Sequence, residues 1–303
     1  MDRLIFISII FCLFFPLGAG AATLYLEPAE ADYYQGDTFI VQARIDVKDE
    51  CINTIEANLI FSKNILEAID FSSGNSILTL WVNPPSINQE AGLISFSGGI
   101  PGGYCGYLPG DPGESNLLGK LIFSVKPGLN ESKKAEVEFL NTSQVLLNDG
   151  FGTLAELKIK GTVFIVLSGI PTIPKEEWQE ELVQDKIPPE DFKIVIERSE
   201  AIFEGKYFIT FSTVDKQTGI DYYEIKEGRG KWQKAQSPFL LENQDLRSII
   251  KVKAVDKAGN ERIAEYTPQR EFSWLIIILI LIGAGIIWWI IRKLKTKVKN
   301  EKY

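Results

Sequence analysis

Short runs of alternating apolar and polar residues fill most of this 303-residue chain. Such alternation places every second side chain on one face of a β-strand, and the Gly, Pro, Asn and Asp clusters between the runs are typical of turns. Up to residue 167, the clearest runs are 38–47, 55–61, 93–97, 117–125, 135–140 and 157–166. Many short strands in about 140 residues predict an all-β first domain, a sandwich or jelly roll, over residues 23–167.

The segment 168–190 differs from the strand-rich sequence on both sides. It holds four prolines around the acidic stretch KEEWQEELVQD. Prolines at these positions predict a semi-rigid linker. Within it we expect a short helix with Trp178 and Leu182 on one face.

After the linker, residues 191–269 return to the strand pattern over fewer than 80 positions. This length and spacing predict a second, smaller sandwich of immunoglobulin type. Within it, residues 256–260 (DKAGN) predict a turn in which Gly259 takes a positive φ.

Both ends of the chain predict export and anchoring. Residues 274–291 are an unbroken apolar run followed by a basic tail, 292–303. About eighteen apolar residues approach the thickness of a bilayer core, so we expect a membrane helix over 273–291 with the tail in the cytoplasm. Residues 1–21 combine an arginine, an apolar stretch and an A-x-A ending, as in a secretory signal peptide. The prediction is a single-pass protein of the cell membrane with its N-terminal ectodomain outside.

Charge and composition exclude several functions. The net charge is −8, and residues 22–273 hold 25 Lys and Arg against 38 Asp and Glu. An acidic ectodomain repels phosphate backbones, so nucleic acid is not an expected partner. The chain has no histidine, which excludes Ser-His-Asp hydrolysis, HExxH metalloproteases and His-ligated zinc, but not chemistry with paired carboxylates.

The cysteines predict one disulfide. Of three cysteines, Cys12 leaves with the signal peptide, and Cys51 and Cys105 remain in an oxidising compartment. A disulfide between them would close a loop of about 54 residues and stabilise the domain by about 3–4 kcal/mol in the chain-entropy model. The alternative for this pair is a metal or redox site.

The first domain resembles the cohesin family. The segments that carry the resemblance are GDTFIVQARIDV (36–47), EANLIFSKNILEAIDF (56–71), GLISFSGG (92–99), LLGKLIFSVKPG (117–128) and SQVLLNDGFGT (143–153). The resemblance implies a nine-stranded jelly-roll β-sandwich that binds dockerin modules, which often attach polysaccharide-degrading enzymes to scaffolds or cell surfaces. The chain departs from the family pattern in the Cys51/Cys105 pair and in the Gly- and Pro-rich loop 98–113.

The second domain resembles bacterial immunoglobulin-like or fibronectin-type modules. The segments concerned are TGIDYY (218–223), GKW (230–232), SPF (237–239) and KAVDKAGN (253–260). The resemblance implies a spacer or an adhesive unit.

A partner-binding face is expected on the outward side of the strands. Period-two alternation turns Asn58, Ser95, Ser97 and Lys120 away from the core. We expect these residues to share one face that contacts a partner. The alternative is an ordinary solvated face.

Three aromatic residues complete the candidate binding residues. Trp81 lies beside Asn83 and two prolines, where its ring would stack on a sugar or anchor a protein interface, or else belong to the core. Tyr104 and Tyr107 flank Cys105, in a loop that the disulfide would pre-organise for binding.

No cofactor is predicted. Acidic residues that would suit calcium are Asp32, Asp37, Asp46, Asp49, Glu50, Asp111 and Glu114. None of them follows the D-x-[DN]-x-[DN]-G pattern of a calcium loop.

The main hypothesis is a non-enzymatic, membrane-anchored cell-surface binding protein. Its cohesin-like domain would bind a dockerin-type module or a surface polysaccharide, in association with polysaccharide catabolism. One alternative is a structural or adhesive envelope protein that pairs with neighbouring surface subunits. The other is a carboxylate-based glycosidase, which requires two acidic side chains facing each other across a cleft about 5–10 Å wide.

Overall fold

The computed structural model describes residues 21–48, 50–106, 116–169, 173–268 and 274–300, with side chains for residues 278–293 of the last segment. The predicted signal peptide, apart from Ala21, lies outside the described residues. The strands before the linker are β1 (Ala22–Glu27), β2 (Glu30–Tyr34), β3 (Thr38–Asp46), β4 (Ile52–Phe61), β5 (Leu66–Ser72), β6 (Leu80–Asn88), β7 (Leu93–Tyr104), β8 (Leu117–Val125), β9 (Lys133–Phe139), β10 (Gln144–Leu147), β11 (Leu157–Lys160) and β12 (Thr162–Leu167).

These strands form two sheets around one core. The small sheet has the order β11-β1-β3-β8-β5, and the large sheet has the order β2-β12-β9-β4-β7-β6, with β10 paired to β4. The predicted β-rich sandwich is confirmed. The described residues form twelve strands here rather than nine, because the first segment splits at Pro28 into β1 in the small sheet and β2 in the large sheet, and because β10 and β11 are short additions.

The core follows directly from the alternation in the sequence. In β3, the inward residues Phe39, Val41, Ala43 and Ile45 are fully buried. Phe39 stacks on Tyr33 with ring centroids 3.9 Å apart, and the inward rings of the two sheets meet around it. Burial of this apolar surface is the main stabilising term of the sandwich.

The predicted disulfide is confirmed. Cys51 and Cys105 are bonded at the start of β4 and the end of β7. These strands are antiparallel neighbours, and Ile52 pairs with Tyr104 beside the bond. The disulfide therefore closes one end of a strand pair.

The linker contains α1 (Glu177–Gln184), which lies on the outer face of the small sheet. Trp178 packs there against Ile40 and Ile122, with Leu182 beside them. Both isoleucines point outward from their strands, and Ile122 is nevertheless completely buried because the helix covers it. The chain's own linker therefore covers the outer face of the small sheet at Ile40 and Ile122.

The second domain is built from two small sheets. Its strands are β13 (Val195–Ser199), β14 (Ile202–Thr210), β15 (Ile220–Glu227), β16 (Gln233–Ala235), β17 (Phe239–Leu240), β18 (Ile250–Asp256) and β19 (Glu261–Tyr266). The sheet orders are β13-β14-β17 and β16-β15-β18-β19. After β18 the chain turns as predicted, with Gly259 at φ +87°.

The last element is α2 (Trp274–Asn300). In the part of the chain that the structure describes, no helix has both the length and the apolar character needed to cross a membrane. The span predicted over 273–291 is therefore not found there, and residue 273 itself lies outside the described residues.

Candidate functional site

The outer face of the large sheet carries exposed side chains on three adjacent strands. Strand register aligns its outward residues in rows, Ile60–Leu93–Asn88 and Asn58–Ser95–Ser86. We call these six residues the open face. The next row, Glu56–Ser97–Asn83, and Glu138 beside Ile60 form its edge.

The open face carries an apolar pair with polar neighbours. Ile60 and Leu93 are paired neighbours that are 40% and 36% exposed. A cleft of about 410 Å³ runs beside Leu93, and Thr142 contributes to its wall. Apolar side chains next to hydrogen-bonding groups are an arrangement found in protein interfaces.

The polar side of the open face is held in place by hydrogen bonds. The backbone N–H of Asn58 donates to Ser143 Oγ at 3.1 Å, and the Ser143 hydroxyl donates to the Asn58 carbonyl at 3.1 Å. The Asn58 side-chain amide donates to the Thr142 carbonyl at 3.3 Å. A surface fixed in this way loses less entropy when a partner binds.

The structure brings together some of the residues expected on one binding face. Asn58 and Ser95 are paired neighbours on the open face. Ser97 lies in the next row but is only 5% exposed, because the Asn83 side-chain amide donates to its hydroxyl at 2.9 Å. The Ser97 hydroxyl therefore serves a contact between β6 and β7.

Lys120 does not lie on the expected partner-binding face, so that prediction was wrong for this residue. It lies on β8, in the small sheet, on the opposite side of the sandwich from Asn58. Its Nζ forms an ion pair with Glu181 of α1 at 2.6 Å. Period-two alternation correctly predicted that Lys120 points outward, but two outward residues share a face only if their strands share a sheet.

The aromatic candidates lie elsewhere. Trp81 is half-buried, with its ring 5.9 Å from that of Phe71 and 6.1 Å from that of Phe96. Tyr104 is 2% exposed, so it is part of the core. Tyr107 lies outside the described residues.

Several residues of the open face were not selected from the sequence. Ile60 and Leu93 are apolar residues at outward positions, and this is the signal that marks them. Ser86 and Asn88 follow two prolines in β6, which conceal a strand in the sequence. Thr142 lies in a turn and carries no sequence signal of its own.

A second cluster could hold a metal ion. Carboxylate oxygens of Asp185, Asp215 and Asp256 lie within 4.8 Å of one another, and all three residues are buried. Burial, and then the neighbouring carboxylates, raise the pKa of Asp256. Oxygen ligands of this kind suit calcium. The acidic pairs predicted from the sequence do not form this cluster, whose members are far apart along the chain.

These carboxylates already accept hydrogen bonds within the protein. Asp215 Oδ2 accepts three backbone N–H groups, from residues 217–219. The Thr218 hydroxyl donates to Asp185 Oδ2 at 2.6 Å, and the Asn260 side-chain amide donates to Asp256 Oδ2 at 2.9 Å. The cluster therefore has a structural role at the place where the linker meets the second domain.

A groove of about 550 Å³ between α1 and the small sheet is lined by several acidic residues. Its carboxylates belong to Glu27, Glu177, Glu180 and Glu181. Three of these four form ion pairs. Glu27 pairs with Arg44, Glu177 with Lys175 and Glu181 with Lys120. These carboxylates are held by the protein's own cations, so this groove offers no support for a glycosidase.

Comparison with known proteins finds no matching family model and no matching curated protein. Solved structures that are similar to this chain include cohesin modules.

Three of these structures illustrate the similarity. A cohesin in a cohesin–dockerin complex from Clostridium thermocellum is 14% identical, with a TM-score of 0.39, over 49% of this chain and 95% of that chain. The sixth cohesin of scaffoldin B from Acetivibrio cellulolyticus, in complex with a dockerin mutant, is 21% identical, with a TM-score of 0.36, over 50% and 100%. A cohesin from Clostridium acetobutylicum is 15% identical, with a TM-score of 0.39, over 50% and 95%.

Proposed function

We propose that this protein is a non-enzymatic binding protein that holds a dockerin-type protein module on its open face. The observation that carries the proposal is the difference between the two sheets. The small sheet buries its outward residues Ile40 and Ile122 under α1, whereas the large sheet leaves Ile60 and Leu93 exposed. Covering two aliphatic side chains on a fixed surface favours association, and the neighbouring amides and hydroxyls give it specificity.

The partner class follows from the sequence resemblance described above, which implies dockerin binding. Two of the similar cohesins were solved with a bound dockerin. The edge of the open face carries Glu56 and Glu138. We therefore expect the partner to present an apolar centre with basic residues near its periphery.

The proposal is tested by Ile60→Asp in the full chain, with Ile263→Asp as the matched control. Both isoleucines are exposed strand residues, 40% and 49%, and Ile263 lies on β19 of the second domain. Isothermal titration against a panel of dockerin modules should show at least tenfold weaker binding for Ile60→Asp, because an unpaired carboxylate would be buried in the interface. The control should bind like the wild-type protein.

Three outcomes would contradict the proposal. They are equal affinity of Ile60→Asp and wild type, equal loss in both variants, and no binding of any dockerin. A parallel titration with soluble polysaccharides addresses the other partner class. Glycan binding that Ile60→Asp abolishes would replace the dockerin with a glycan as the ligand of this face.

The membrane location is a proposal supported by the sequence, through the apolar run 274–291 and the basic tail 292–303. Alkaline extraction of native membranes should leave the chain in the pellet, and added protease should digest the ectodomain of intact cells. Release by alkali would contradict the anchor. Co-purification from the same membranes would distinguish a dockerin-bearing partner from the neighbouring subunits of an envelope assembly.

A further inference from the structure

The two domains meet at a joint to which both domains and the linker contribute. We define the joint as residues 70–75, the end of α1 through Asp185, and the second-domain segments 215–219 and 256–260. The Ser72 hydroxyl donates to the Thr218 carbonyl at 2.6 Å, and Ser72 is fully buried. The first domain is therefore in direct hydrogen-bonded contact with the second.

The backbones of the two domains touch at the joint. A methyl group on Gly74 would overlap the carbonyl oxygen of Gln217, and one on Gly219 would lie 2.7 Å from the Gly74 nitrogen. The φ of Gly74 is not in the left-handed region that only glycine adopts easily. A side chain is therefore excluded at Gly74 by the second domain and not by its own backbone conformation.

Charged groups add to the joint. Lys257 Nζ donates to both carboxylate oxygens of Asp70 at 2.8 Å, and its side chain is 13% exposed. Lys120 Nζ, which forms the ion pair with Glu181, also donates to the Gln217 carbonyl at 3.3 Å. Lys120 thus connects the small sheet, α1 and the second domain.

Linker residues Lys175 and Glu177 are hydrogen-bonded to β3 of the first domain. β1 pairs only with Gln42–Asp46 of β3, so the earlier residues of β3 need other partners. The Thr38 N–H donates to the Lys175 carbonyl at 2.7 Å, and the Ile40 N–H donates to Glu177 Oε2 at 2.8 Å. The linker satisfies these backbone groups where β1 does not reach.

We propose that the linker and the joint lock the two domains into one rigid unit. The prolines of the linker predicted a semi-rigid spacer, and the contacts above attach it to the first domain at Lys175, Glu177 and Trp178 and to the second domain at Asp185. The consequence is that the open face is held at a fixed orientation to the second domain. The same contacts cover Ile40 and Ile122 on the outer face of the small sheet.

The test is a distance measurement between the domains in the full chain. Spin labels on Asn64→Cys, in the turn before β5, and Glu197→Cys, on β13, should give one narrow distance distribution. Gly74→Ala should broaden it, because the added methyl forces the joint apart. The control Gly99→Ala has an ordinary φ and only ordinary contacts at 3.7 Å or more, and should leave the distribution narrow.

A charge exchange between Asp70 and Lys257 provides a second variant. Asp70→Lys alone should broaden the distribution, and adding Lys257→Asp should narrow it again by restoring the ion pair. A broad distribution in the wild-type protein, or an unchanged narrow one in both Gly74→Ala and Asp70→Lys, would overturn the proposal. No partner takes part, so the result is independent of the proposed function.

Discussion

Removal of the disulfide between Cys51 and Cys105 should destabilise the first domain by about 4 kcal/mol. The bond closes a loop of 54 residues. In the chain-entropy model this removes about 14 cal/mol/K from the unfolded chain, or about 4 kcal/mol at 25 °C, a factor of about 1,000 in the unfolding equilibrium. The folded state should change little, because β4 and β7 remain paired by the ladder from Ile52 to Ile60.

The measurement is urea unfolding of the Cys51→Ser/Cys105→Ser chain. Unfolding is monitored by hydrogen exchange at the amides of β4 and β7, because these report on the first domain. With a slope of about 2 kcal/mol per molar urea, the midpoint should fall by about 2 M. The reduced wild-type chain should match the serine variant. A loss below about 1 kcal/mol would refute the reasoning, because it would mean that the unfolded chain gains little freedom when the loop opens.

Three further predictions concern packing and charge. Gly119→Ala should cost the first domain about 1–3 kcal/mol, because its methyl would overlap the ring of Phe71; equal urea midpoints for this variant and Gly99→Ala would contradict it. Trp178→Ala should cost about 3 kcal/mol by uncovering the small sheet; unchanged exchange at the amides of β3 would disprove this. Burial raises the pKa of Asp256, so the folded state binds this proton more tightly than the unfolded chain. The second domain should therefore gain stability as pH falls through the raised pKa, with the gain complete below the ordinary value of 3.8. Scanning calorimetry should show this gain in the wild-type protein and not in Asp256→Asn.

The open face shows which features the alternation of apolar and polar residues can predict. Alternation placed Asn58 and Ser95 outward on their strands, and the register of β4 and β7 then made them neighbours. It equally placed Ile60 and Leu93 outward, although their importance depends on what lies over them. A period of two assigns a side chain to one of two faces, and the same information is available for every strand of the sandwich.

Lys120 and the linker show where that information ends. The sequence correctly predicted that Lys120 points outward, and also that Trp178 and Leu182 share one side of a short helix. Whether these helix residues contact the strand depends on which strands join the small sheet and on how the chain returns across it after β12. These are contacts between residues more than fifty positions apart, and no local periodicity encodes them.

The sequence by itself determined the β-rich architecture, the direction of each strand's side chains, the disulfide pair and the resemblance of the first domain to cohesins. Each depends on residue type and short-range spacing. Only the tertiary structure decided which outer face is covered, that Asp185, Asp215 and Asp256 converge, and that Gly74 meets the second domain. The physical reason is that these features arise from packing, in which excluded volume and buried polar groups select one arrangement of elements that the local pattern leaves open.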